Sequence, residues 1–201
     1  MSWEFLLTAF IVCLSPGIGV VYTLSTTLGG GVKAGVLAAV GCTICTALHL
    51  VGAMAGLAAI LHSSAILFQT IKIAGVAYLL WMAWVSLQEH GSFSIRAGHV
   101  PASARRIIWR GILLNLLNPK LPLFFVAFLP QFVPVDAPLS LLVELGLTFS
   151  VMTFAVFVLY AAMAGVMRRR VMESPSVLAW MRRAFAASFA ALGARLALDR
   201  A

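Results

Sequence analysis

Nearly uncharged apolar runs recur along this chain at close to the length that crosses a bilayer, and that feature leaves few architectures open. The first covers residues 5–28. Roughly 20 helical residues at about 1.5 Å each span the hydrocarbon core. Inside a bilayer every backbone amide and carbonyl needs a partner within the protein, which leaves helices and closed barrels. Runs this long, without strict alternation, read as helices. With 62% of residues apolar and 10% charged, the chain reads as an all-α integral membrane protein. Six spans of about 20 residues use up most of the 201 residues. The loops are therefore short, and 1–201 forms a single membrane domain. The net charge of +8 gathers at the ends of the apolar runs. The expected environment is thus a lipid bilayer, and nucleic acid is not an expected partner.

The six spans are expected at about 4–28, 34–60, 65–87, 107–130, 138–166 and 177–198. Met1-Ser2-Trp3-Glu4 carries an acid and no Lys or Arg ahead of the apolar run, so it opens the first span rather than a signal peptide. Thr26-Thr27-Leu28-Gly29-Gly30-Gly31 is a turn signal. Gly31/Gly35 and Gly52/Gly56 are small-xxx-small pairs that permit close helix approach and leave room for a homodimer. Tyr78, Trp81 and Trp84 mark a membrane interface, and Lys72 lies within the same span, near enough to one end to snorkel. The longest polar stretch, 88–106, connects two halves. Ten of the 14 Lys and Arg residues fall in the odd-numbered loops or at their edges. Positive charge stays on the cytoplasmic side, so both termini are expected to face the periplasm or exterior.

Two of the spans carry helix breakers. Pro16 lacks an amide hydrogen and clashes with the carbonyl four residues back, and Gly17 and Gly19 ease non-helical angles. Pro119 does the same in Leu117-Asn118-Pro119-Lys120. Free backbone at membrane depth belongs inside protein or beside a wet cavity. Each half, 1–95 and 100–201, holds three spans and is broken in its first. An odd number of spans turns the second half over relative to the first. The expected architecture is therefore two inverted three-helix repeats, with helices 1 and 4 interrupted at prolines, as in many secondary transporters. An amide end after either break can hold a carboxylate. Ser15, Pro16, Gly17, Gly19, Asn115, Asn118, Pro119 and Lys120 are the candidate substrate-binding residues.

The residues that carry a family likeness are Ser15-Pro16-Gly17, Gly31-xxx-Gly35, Gly75-xx-Tyr78-Leu79, Asn115-xx-Asn118-Pro119-Lys120 and Pro130-Gln131-Phe132, with a closing helix at 189–198. In this order, over essentially the whole chain, they resemble the lysine-exporter family of small bacterial membrane proteins and its homoserine/threonine efflux branch. The resemblance implies a secondary transporter of the bacterial inner (plasma) membrane. It would export amino acids or related small metabolites, run on protons, and not be an enzyme. Many members read Ser-Pro-Gly-Pro-Asn at the first break, where this sequence has Ile18-Gly19. It keeps the amide-lined break and lacks the polar side chain.

Other residues admit two readings each. Asn115 and Asn118 cap freed backbone or touch substrate. Lys120 meets a carboxylate or snorkels outward. Glu144 lies inside the fifth span, where a carboxyl group can carry coupling protons, or at its outer interface. His49 is a second titratable group for proton coupling, or a packing histidine. Ser15, Thr23, Thr26, Thr43 and Thr46 line a polar path or bond their own helix carbonyls. Cys42-Thr43-Ile44-Cys45 suggests an alternative function, an intramembrane thiol-disulfide electron carrier, though nothing nearby favours a thiolate. A second alternative is a membrane structural or assembly protein with no transport path. No metal-ligand spacing and no cofactor motif is present, so neither is expected.

Overall fold

A single backbone position turns the N-terminal third of the molecule back on itself. In this computed structural model, Gly31 has φ 80° and ψ 177°, a region that side-chain-bearing residues avoid. The structure describes residues 2–14, 17–63, 65–88, 103–117, 120–134 and 137–166, with isolated helical positions at 176, 180, 183 and 187. Its elements are α1 (Trp3–Leu14), α2 (Ile18–Ser63), α3 (Ala65–Gln88), α4 (Ala104–Leu116), α5 (Lys120–Phe128), a 3₁₀ turn (Leu129–Gln131) and α6 (Leu139–Val166). Among the described residues every regular element is helical.

The 23 residues between Gly19 and Cys42 would cover about 34 Å in a straight helix. Instead the Cys42 thiol lies 3.9 Å from the Gly19 carbonyl oxygen. The arms 18–30 and 32–63 of α2 are thus an antiparallel helical hairpin with Gly31 at its tip. Gly35 makes this possible. A Cβ there would collide with the Thr27 hydroxyl and sit 2.9 Å from the Ala161 methyl.

Two stretches among the described residues are long and apolar enough to cross a membrane, Ile18–Leu57 and Leu139–Ala164. A third forms if Ala104–Leu116 and Leu121–Gln131, bent by 62°, are taken together. The turn at Gly31 divides the first of these. The 32–57 arm keeps a crossing length of about 39 Å, while 18–30 reaches only about 20 Å. The shorter arm needs α1, an apolar helix of 12 residues, to complete a crossing.

Local chemistry explains the helix starts. The Ser2 hydroxyl accepts the Phe5 amide hydrogen at 3.2 Å, with Glu4 in the first turn to favour the positive end of the helix dipole. The Ser103 hydroxyl accepts from Arg106 at 3.4 Å at the head of α4. In α4, Ile107, Gly111 and Asn115, spaced at i, i+4 and i+8, form the buried stripe, while Arg105, Arg106, Trp109 and Arg110 are exposed.

Packing then sets directions. Gly41 lies against the Ile108 backbone, and Gly111 approaches the Ala38 carbonyl, so α4 crosses the 32–63 arm backbone to backbone. The Tyr22 hydroxyl donates to the Ile107 carbonyl at 2.8 Å across the same seam. Gly35 meets Ala161 and Gly146 meets Met54, so α6 runs antiparallel to that arm. The end of α6 therefore lies at the hairpin tip, beside exposed Lys33. At the far end Phe5, Phe124, Phe125, Phe128, Phe132 and Phe149 form one ring cluster, with centroids 4.9–6.4 Å apart. Aromatic pairs at such spacings add to the stabilisation from burial.

Candidate functional site

The end of α1 and the start of α2 are walled by α6 and α4. Helix α1 ends at Leu14, and at the head of α2 the Val21 amide donates to the Gly17 carbonyl at 2.9 Å. The last carbonyls of a helix have no donor within it. That of Leu14 is met from outside, by the Tyr160 hydroxyl at 2.7 Å. One residue earlier on α1, the Cys13 thiol and the Thr153 hydroxyl are 3.4 Å apart. Between these contacts the Phe157 ring reaches Gly19, in the first turn of α2. A Cβ on Gly19 would sit 2.9 Å from its Cε2. Thr153, Phe157 and Tyr160, spaced by four and three residues, share one face of α6. That single face touches both the end of α1 and the start of α2.

Asn115 supplies the opposite wall. It is 5% exposed, and its amide nitrogen donates to the Gly111 carbonyl at 3.0 Å. With the nitrogen bound to its own helix, Oδ1 faces Gly19, 3.2 Å from where a Cβ would be. The Cys42 thiol from the other arm of the hairpin lies beside Asn115 and Thr23. Thr23 is fully buried, and although its hydroxyl borders that thiol it makes no well-formed hydrogen bond. Other hydroxyls bond their own helices: Thr27 donates to the Thr23 carbonyl at 2.7 Å, Thr46 to Cys42 at 3.1 Å and Thr153 to Phe149 at 2.8 Å. All buried polar side chains among the described residues are uncharged. The arrangement is therefore a buried, neutral polar patch around the first turn of a helix. It can orient dipoles and hydrogen bonds but has no side-chain charge of its own.

The structure treats the expected site residues unevenly. It brings Gly19 and Asn115 together and leaves Gly17 exposed at the start of α2. Ser15, Pro16, Asn118 and Pro119 lie outside the described residues, as does the side chain of Lys120, which opens α5. Glu144 is exposed in the second turn of α6, nine residues before Thr153 and so about 13 Å along the axis. His49 is half-buried, with Nδ1 3.8 Å from the Cys45 sulfur, and also stands off the patch. The three cysteines are free and buried. Cys42 faces Gly19 and Cys45 faces His49, so the Cys-x-x-Cys spacing is not a bonded pair. Among the described residues no cluster of three His, Cys, Asp or Glu can hold a metal.

Sequence reasoning missed Thr153, Phe157 and Tyr160. Thr153 and Tyr160 are polar groups seven residues apart in an apolar span, which places them on one helix face. That was the available signal.

Comparison with known proteins adds a family-level match. The family of LysE type translocators matches residues 10–200. The homoserine/homoserine lactone efflux protein of Salmonella typhimurium is 30% identical over 199 residues, 98% of this chain and 96% of that protein. The leucine efflux protein of an Enterobacter species is 35% identical over 167 residues, 77% of each. A membrane protein of Vibrio cholerae of unknown role is 31% identical over 198 residues. No solved structure matches the chain.

Proposed function

The chain belongs to the LysE type translocator family, and from that premise we propose that it exports a small neutral or basic amino acid, or a related metabolite, across the bacterial inner membrane in exchange for protons. As a translocator it is not an enzyme. The observation that carries the reading is the neutral polar patch at the first interruption, built by Gly19 and Cys42 of one half and Asn115 and Phe157 of the other. Relatives along nearly the whole chain are efflux proteins for homoserine and its lactone, and others for leucine.

In this reading 1–95 and 100–201 are inverted three-helix repeats, and substrate sits between their interrupted spans. Its carboxylate rests on free amides after the first interruption, while Asn115, Asn118 and Lys120 serve its other end. Rocking of one half against the other opens the site outward. Glu144, with His49 as the alternative, takes up the returning proton. The basic residues put the hairpin tip on the cytoplasmic side and both termini outside. Gly52 and Gly56, with open space beside them, offer a contact for a homodimer.

The test is accumulation of a panel of neutral and basic amino acids in cells with and without the protein, at an imposed proton gradient and with a protonophore. Lower accumulation of at least one amino acid is expected, with the difference lost when the gradient collapses. Equal accumulation of all of them would overturn the export assignment. Efflux indifferent to the protonophore would overturn the coupling alone.

A further inference from the structure

The geometry points to Phe157 and Asn115, facing one another across Gly19, as the pair that decides which amino-acid side chain this exporter accepts; the inference rests on the function proposed above. Gly19 is in the first turn of α2, the end of a helix whose dipole favours an anion. A helix start by itself names no site. Here a second feature marks one. Thr23, one turn further along the same face, is fully buried, and its hydroxyl, beside the Cys42 thiol, makes no well-formed hydrogen bond. A buried hydroxyl so poorly paired is costly, and a ligand that arrives with a matching group removes that cost.

A carboxylate at that helix end leaves the rest of the ligand level with Gly19. Two side chains reach that point. On one side is Oδ1 of Asn115; one N–H of the amide is committed to Gly111 and the nitrogen also borders the Cys42 thiol, so the atom turned toward Gly19 is an acceptor. An acceptor selects a donor, such as the ammonium group of the amino acid or a side-chain hydroxyl. On the other side is the Phe157 ring edge, which selects by size and apolarity. The space is filled as it stands. Even a methyl group on Gly19 would meet the ring at 2.9 Å. A ligand enters only as the ring swings aside, so the room the ring can vacate limits the side chain admitted.

The experiment measures transport of leucine and homoserine, a branched apolar and a hydroxyl-bearing probe, into everted membrane vesicles. Wild type is compared with Phe157→Ala and the milder Phe157→Leu, each at matched inserted protein. A cavity opposite an unchanged acceptor should raise the leucine-to-homoserine rate ratio about tenfold in Phe157→Ala and less in Phe157→Leu, in line with discrimination by hydrophobic pockets. Asn115→Leu should shift the ratio the same way by losing the hydroxyl-bearing probe. A ring that only holds helices together would change both rates by one factor. Measurable transport with an unchanged ratio in Phe157→Leu and Phe157→Ala would overturn the inference and leave the exporter assignment standing. If wild type carries neither these probes nor any of the panel above, the exporter assignment falls and the inference with it.

Discussion

Replacing Tyr160 with Phe removes one oxygen and should cost more than the same change at Tyr22. Both hydroxyls donate to backbone carbonyls on a neighbouring helix, at 2.7 Å to Leu14 and 2.8 Å to Ile107. The acceptors differ. Ile107 lies inside α4, where its carbonyl also takes part in the helical ladder, so it keeps a partner when Tyr22 is truncated. Leu14 ends α1, and its carbonyl has no donor within that helix. Tyr160 is 5% exposed, so water does not readily replace it. An orphaned buried acceptor costs about 1–3 kcal/mol in soluble proteins. Hydrogen bonds between helices in membranes average about 0.6 and reach about 1.7 kcal/mol. For Tyr160→Phe we therefore expect about 1–2 kcal/mol, and for Tyr22→Phe no more than about 0.6 kcal/mol. At this chain length 1 kcal/mol moves the thermal midpoint by about 2–4 °C. Thermal unfolding of the purified protein in one detergent, followed by monodisperse fraction after heating, resolves such a difference. If Tyr160→Phe proved no less stable than Tyr22→Phe, the argument from the unpaired helix end would fail.

Three further outcomes follow from particular residues. Gly31→Ala forces a side chain into φ 80°, ψ 177° and should cost about 1–3 kcal/mol, whereas Gly30→Ala should not; thermal midpoints of the two variants check this. A Cβ at Gly41 would collide with the Ile108 backbone, which cannot turn away, so Gly41→Ala should destabilise by about 1–3 kcal/mol. Gly52→Ala, with open space around it, should be neutral or stabilising by up to about 1 kcal/mol, and a stability measurement that ranked the two the other way would contradict the close crossing of α4. Cys45→Ser should retain export, because a thiol-disulfide carrier needs both thiols and the two cysteines face different neighbours; loss of activity in a well-inserted Cys45→Ser protein would revive the redox alternative.

The apolar helices and the reversal near 29–31 were legible because they depend on short-range chemistry. Run length, low charge and clustered glycine are visible residue by residue, and the structure places the reversal at Gly31. The pairing of faces was not legible. In a soluble helix the polar side points outward and gives the buried side away. In a span that meets lipid on one side and protein on the other, both sides are apolar. Leu159 and Val151 of α6 are exposed while Tyr160 and Val156 are buried, and no hydropathy contrast separates the two sets. Asn115 was legible as an unusual residue in an apolar span. Its partners, Gly19 and Phe157, were not, since a glycine and a phenylalanine in such a span are ordinary. The geometry of Asn115 came only with the fold. The amide nitrogen bonds its own helix, as a structural residue would, while the oxygen faces across the seam.

The joint at Gly31 is one residue long, and this has a mechanical consequence. With no slack between them, the two arms it links share every translation, like the prongs of a tuning fork. Sliding of one arm past the other would have to stretch the backbone at the tip. Relative motion at this end of the molecule therefore falls to α1 against α6, or to the fork moving whole against α6. Crosslinking the prongs should leave turnover intact, while tying α1 to α6 should arrest it.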